Sequence, residues 1–200
     1  VHAAQTLGRR WIGIDVTPIA VNLIIARMFK EFGSAVEYSV SGFPADLDGA
    51  REMFARDTPV KKEFEMWACG LIRAEPRDGG KKGADGGFDG TFWFGAEHEH
   101  RAIVSVKGGR KVSVQTVREL SDVVRDQNAS IGIYLTLEVP TRPMLDWAAQ
   151  AGTVEVEGFG QVPRIQIVTI EQAMALRDRA VRLPAMRQDS FKRAGREEDA

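Results

Sequence analysis

The chain has 200 residues, 44% of them hydrophobic and 28% charged, with a formal net charge of −1. This is the composition of a globular chain with enough apolar residues for a core, and it excludes attraction of nucleic acid to the whole chain, so any such contact must come from a local patch. The single cysteine, Cys69, excludes an internal disulfide and fits a reducing, cytoplasmic compartment, while no apolar run approaches the roughly 20 residues that a membrane span needs.

The chain does not begin with Met and carries no signal-peptide pattern, so it reads as a cut through a longer protein. Residues 9–16, Arg-Arg-Trp-Ile-Gly-Ile-Asp-Val, predict a short buried strand ending near Asp15. Thr17 suits an N-cap and Pro18 a first helical position, so a helix should run from Pro18 to about Phe32 and stop at Gly33. Strand then helix is a Rossmann-like α/β piece. An acid at the tip of such a strand either binds ribose hydroxyls of a nucleotide-like cofactor or serves as a turn acid.

Residues 34–59 predict a connector: a short strand over 37–41, a turn at Gly42-Phe43-Pro44, and a helix over 46–56 with Leu47, Ala50, Met53 and Phe54 on its apolar face. From Val60 to Arg73 the spacing of Phe64, Trp67, Ala68, Leu71 and Ile72 predicts a helix, with Glu65 off its apolar face and Cys69 as a small core residue. Residues 74–82 read as a polar loop. Gly83-Ala84-Asp85-Gly86-Gly87-Phe88-Asp89-Gly90 is a glycine-rich turn ending on an acid, and Ile103-Val104-Ser105-Val106-Lys107 is an apolar run ending on a lysine. Between them lies one β-hairpin, with Thr91-Phe92-Trp93-Phe94 as its first arm and 101–106 as its second. The hairpin sets Asp89 and Lys107 side by side at the ends of adjacent strands, where an acid and a lysine can hold a divalent metal and orient a water. The alternative for Asp89-Gly90 is a plain tight turn, and for Lys107 a surface lysine.

Beyond the turn Gly108-Gly109, helices are expected over 112–124, 141–151 and 171–181, with strands over 130–137 and 165–170. The stretch 101–118 holds Arg101, Lys107, Arg110, Lys111 and Arg118 and no acid. It is either a contact for a phosphate backbone or an ordinary charged turn and solvated helix face. His98-Glu99-His100 reads as a solvated loop without a third metal ligand, and Trp67, Trp93 and Trp147 as core. The tail from 187 is charged and expected to be disordered. The expected architecture is an α/β three-layer sandwich with a central mixed sheet.

Two resemblances bear on these segments. Ala3-Ala4-Gln5, Gly8-Arg9-Arg10-Trp11-Ile12-Gly13-Ile14-Asp15 and Ala20 resemble the segment that follows the S-adenosylmethionine loop in DNA amino-methyltransferases. The resemblance implies that residues 1–33 are the end of such a domain and that Asp15 contacts the ribose of S-adenosylmethionine. The family's glycine-rich F-x-G-x-G loop and (D/N/S)PP(Y/F) motif are absent, so this stretch alone should not methylate.

Phe64-Glu65 with Trp67, the turn 83–90 with Asp89, and Ile103-Val104-Ser105-Val106-Lys107 resemble the PD-(D/E)xK nuclease fold, its Mrr-type restriction endonuclease branch above all, over about 60–175. That implies a Mg²⁺- or Mn²⁺-dependent endonuclease acting on double-stranded DNA, in a restriction-endonuclease-like unit spanning 60–182 with a charged tail at 183–200. Asp89 would be the principal metal ligand, helped by Glu65 and the Val106 carbonyl. Lys107 would face the scissile phosphate. Gln115 is a loose match for a backbone contact, Asp85 is a turn or supporting acid or a further ligand, and Arg110, Lys111 and Arg118 would meet the DNA backbone. Ser105 departs from the pattern, which has Glu or Gln there, and a hydroxyl is a poorer ligand for a hard cation than a carboxylate. Hence a second expectation stands beside the enzyme: a DNA-binding module that has lost cleavage. Cutting both strands calls for two nuclease sites, which leaves a homodimer open.

Overall fold

The computed structural model of the chain describes residues 1–15, 18–33, 36–55, 58–77, 87–95, 99–109 and 112–183. Asp85, His98, Arg110, Lys111 and the tail expected to be disordered lie outside the described residues. The helices are α1 (His2–Thr6), α2 (Pro18–Phe32), α3 (Leu47–Ala55), α4 (Thr58–Leu71), α5 (Val114–Asp126), α6 (Arg142–Gln150) and α7 (Ile170–Leu176). The strands are β1 (Glu75–Pro76), β2 (Gly90–Phe94), β3 (His100–Lys107), β4 (Ile131–Thr136), β5 (Thr153–Val156), β6 (Gly160–Pro163) and β7 (Ile165–Thr169).

Five strands form one mixed sheet in the order β1-β2-β3-β4-β7, and β5-β6 is a separate hairpin. β1, β2 and β3 are antiparallel neighbours, whereas β3-β4 and β4-β7 are parallel. The two parallel joins need crossovers, and α5 and α6 supply them. All six residues of β4 are buried, as a strand covered on both faces should be. One apolar layer joins Phe64, Trp67, Ala68 and Leu71 of α4 to Phe92, Phe94, Ala102, Val104 and Val106. The other joins Val117, Leu120 and Val124 of α5 and Met144 and Ala148 of α6 to Ile103, Tyr134 and Ile165. The result is helix, mixed sheet, helix. On the second face Thr116 Oγ1 lies 2.7 Å from the Tyr134 hydroxyl and joins the first turn of α5 to the middle of β4.

Several expectations are corrected. Residues 9–15 are not a buried strand: they run without regular structure, with Ile12 89% and Ile14 92% exposed. Backbone N–H and C=O groups of a strand need a ladder partner, and none lies beside this segment among the described residues. Residues 36–41 lack a ladder for the same reason. Within the expected connector, α3 buries Ala50 and Met53 in the same apolar layer as α4. The expected loop 74–82 contains β1, and the β5-β6 hairpin was not foreseen. Trp93 is 46% exposed, not core. His100 is not a solvated loop residue: it opens β3, stacks on Phe94 with ring centres 5.2 Å apart, and its Nδ1 lies 3.1 Å from Ser130 Oγ. No helix among the described residues is long and apolar enough to cross a membrane.

Candidate active site

Asp89 sits one residue before β2, and Lys107 ends β3. The ladder between these strands reaches Gly90 opposite Val104. It continues through Asp89, whose N–H donates to the Val104 carbonyl over 2.7 Å. At the next rung the side chain takes over from the backbone, because the Val106 N–H donates to Asp89 Oδ2 over 2.7 Å. In a strand the N–H and C=O of one residue point to the same side, and the next residue's point to the other. The Val106 carbonyl therefore leaves β3 toward Asp89. The Lys107 carbonyl, which accepts from the Leu137 N–H over 3.1 Å, faces β4. Side-chain alternation puts Ser105 and Lys107 on one face of β3. Ser105 is buried and paired with Tyr134 of β4.

Glu65 reaches this corner from α4. Glu65 and Cys69 are four residues apart and share one stripe of the helix. Cys69 is fully buried against Gly90: a Cβ at Gly90 would stand 2.6 Å from Cys69 Sγ and 3.1 Å from the Glu75 carbonyl. Only glycine admits so close an approach of helix and strand, and that approach brings Glu65, one turn back, within electrostatic range of Asp89 and Lys107. Burial raises the Glu65 carboxyl above its ordinary value, the charge on Asp89 raises it further, and Lys107 and Lys62 pull it back. Burial also raises Asp89, opposed by the Val106 N–H and then by Lys107. Burial, with Asp89 and Glu65 nearby, pushes the Cys69 thiol well up and keeps it a neutral thiol.

The turn after Lys107 is held from α3. Phe54 packs on Gly108 so closely that a Cβ there would collide with its Cδ2–Cε2 edge, and the same ring meets Phe64 edge-on at 5.2 Å. Sequence reasoning read Phe54 and Cys69 as core residues and Gly90 as part of a turn, and missed all three as supports of the site, since their contacts join distant segments.

The structure thus brings Asp89, Glu65, Val106, Ser105 and Lys107 to one corner. Gln115 and Arg118 are exposed on α5, with Gln115 Nε2 donating to Glu119 Oε1 over 3.4 Å. Arg101 does not join Lys107 in one basic patch, because the two stand at opposite ends of β3, roughly 20 Å apart at 3.3 Å per residue. Asp15 lies elsewhere, exposed on the wall of a cavity of about 860 Å³ whose other walls include Trp11, Met28, Tyr38 and Phe43.

Among the described residues there is no group of three His, Cys, Asp or Glu side chains able to hold a metal. The oxygens that converge are the two carboxylates and a backbone carbonyl. All are hard donors, and two half-buried acids raised above their ordinary values are a pair that a cation would relieve. Mg²⁺ keeps several waters and needs only one or two carboxylates, so this set fits it.

A search of curated proteins finds no match to the chain. A family model described as a restriction endonuclease, Mrr_cat, matches residues 59–158. The matched region spans half of the sequence and contains the whole corner built by α4, β2 and β3; the chain belongs to the Mrr_cat restriction endonuclease family.

Proposed function

We propose that the chain is a Mg²⁺-dependent DNA endonuclease that hydrolyses phosphodiester bonds with Asp89, Glu65 and Lys107. The observation that carries this reading is the tie between Asp89 Oδ2 and the Val106 N–H, which sets the acid beside the lysine on adjacent strand ends. Asp89, Glu65 and the Val106 carbonyl would hold Mg²⁺ or Mn²⁺, which when bound supplies an activated water and neutralises phosphate charge. Lys107 stabilises the negative charge that develops on the phosphate and orients the attacking water. Gln115 and Arg118, on the exposed side of α5, hold the DNA backbone, with Arg110 and Lys111 as further contacts. The nuclease unit spans 60–182, and Ser105 is a tolerated departure from the family's acid because Mg²⁺ accepts water in its place.

The finer proposal is that residues 1–33 are the end of a DNA amino-methyltransferase domain, so that the whole protein joins modification and restriction on one DNA. Its support is the resemblance over residues 3–20, and Asp15 would then serve S-adenosylmethionine. A second reading, a DNA-binding module without cleavage, is favoured by the buried Ser105 in place of a carboxylate.

A plasmid-nicking assay separates the two. The chain is compared with Lys107→Ala, with Mg²⁺ or Mn²⁺ and with EDTA. Nicking that requires both the metal and Lys107 supports the enzyme. Salt-sensitive DNA binding without nicking in either metal supports the binding module.

A further inference from the structure

The face of the sheet turned away from α4 is unevenly covered. Over β3 and β4 it is sealed by α5 and α6. Over β2 neither α5 nor α6 continues that cover among the described residues. Burial along β2 alternates, with Phe92 and Phe94 at 4% and 2% under α4 and Trp93 at 46% on the opposite face. Trp93 is the one exposed tryptophan among the described residues. Trp93 thus offers part of a large ring to water from a strand of the central sheet.

Its surroundings say which kind. Trp93 pairs with Arg101 across the ladder, so the two side chains share this face. The Arg101 guanidinium is fixed: its Nη2 donates to the Gln127 carbonyl over 3.2 Å, and its carbon lies 5.8 Å from the centre of the Phe88 ring. Arg101 Nε is buried without a hydrogen-bond partner among the described residues. Arg77 lies over the same Phe88 ring at 4.7 Å. Aromatic and cation therefore alternate along one line, Trp93, Arg101, Phe88, Arg77. The line leads to the nuclease corner, because the Arg77 N–H donates to the Asp89 carbonyl over 2.9 Å. Two acids border the face: Glu75, opposite Thr91, and Glu99, whose carboxylate lies over Gly95 and 3.6 Å from His100 Nε2.

We propose that this line is a platform for an unpaired DNA strand, with a base stacked on Trp93 and the adjoining phosphate held by Arg101. The inference rests on the reading of DNA as substrate and adds to it the form of DNA that this face takes. A stacking ring with flanking guanidinium groups is what single-stranded nucleic acid needs. A duplex keeps its base faces inside the helix and offers the ring nothing equivalent. The strand presented here would be a frayed, flapped or displaced one, running past Phe88 toward Asp89.

The test uses the full chain in EDTA, so that cleavage cannot intervene. A fluorescein-labelled 16-nucleotide single strand and the blunt duplex of the same sequence are titrated against the chain and its Trp93→Ala, Trp93→Phe and Arg101→Lys variants. Binding of the single strand should weaken about tenfold in Trp93→Ala, as loss of one stacked base predicts, and stay within about twofold in Trp93→Phe, with duplex affinity nearly constant. Single-stranded DNA should quench tryptophan emission in the unchanged chain, and most of that quench should vanish in Trp93→Phe. An unchanged single-strand affinity in Trp93→Ala, or a Trp93 still open to iodide in the saturated complex, overturns the platform. If the platform passes but Mg²⁺ gives no nicking, the platform stands and the nuclease reading falls. If the unchanged chain binds neither DNA, both fall.

Discussion

The Val106 N–H donates to Asp89 Oδ2 over 2.7 Å, so the acid before β2 is anchored to the residue that precedes Lys107. A carboxylate has two oxygens, and this bond still permits Oδ1 to serve a cation. Anchoring by a backbone donor fixes the carboxylate relative to the lysine without a further side chain.

Asp89→Asn tests the division between holding a metal and holding the fold. The amide oxygen of Asn can still accept from Val106, so the variant should fold. It should lose nicking by at least about 100-fold, on the scale of one lost charge-stabilising group, while keeping DNA binding within a few-fold. In EDTA near neutral pH its melting temperature should rise by roughly 2–4 °C, the shift expected for about 1 kcal/mol in a chain of this length. A fall in melting temperature would show the carboxylate to be structural.

The pH dependence follows from the same groups. Asp89 and Glu65 are both raised, mainly by burial. An acid with a raised folded-state value binds its proton more tightly folded than unfolded. Its contribution to stability is therefore full below the ordinary carboxylate range and is lost as pH rises through the raised value. Melting curves in EDTA should show this decline, and Asp89→Asn and Glu65→Gln should each flatten it. Mg²⁺ should oppose it, since a cation favours the charged forms. A decline identical in all three proteins would place the responsible groups elsewhere.

Ser105→Glu restores the acid that the resemblance leads one to expect. Position 105 is buried, so an uncompensated carboxylate there should destabilise the metal-free chain by about 1–3 kcal/mol. Mg²⁺ should recover most of the loss and bind more tightly than to the unchanged chain. Calorimetric titration with Mg²⁺ reads this directly, and no recovery would place the cation away from Ser105.

Gly90→Ala would set a methyl group against Cys69 Sγ and the Glu75 carbonyl. Overpacking of this kind costs about 1–3 kcal/mol. Cys69→Ala removes the sulfur and should recover part of that cost in the double variant, giving a coupling measurable by urea denaturation. Additive effects would mean that α4 and β2 do not meet there.

Most of the central fold is legible because its patterns are local. Phe64, Trp67, Ala68 and Leu71 mark α4 by helical spacing, and the apolar run 130–137 marks β4 by its continuity. Asp89 and Lys107 stand at neighbouring strand ends as the hairpin pattern predicts. β1 was illegible because two residues, one of them Pro76, carry no periodicity. Trp93 was misread by residue type, although the period of two that buries Phe92 and Phe94 already puts it on the other face. Ile12 and Ile14 read as a buried strand by composition, but composition cannot show whether a partner strand lies alongside. The packing of Phe54 on Gly108 and of Cys69 on Gly90 joins positions far apart in sequence, and no single segment encodes it.

β7 lies beyond the region matched by the family model, yet its ladder covers one whole side of β4 from Gly132 to Thr136. A fragment cut at 59 and 158 would carry the corner of Asp89, Glu65 and Lys107 and still present β4, buried on both faces, as a naked edge. Such an edge templates self-association. The fragment should collect in insoluble or oligomeric fractions, and extending it through Thr169 should return it to solution. Preparations of this chain that end at the family boundary would then fail for want of a neighbour to one strand, with every residue of the candidate site in place.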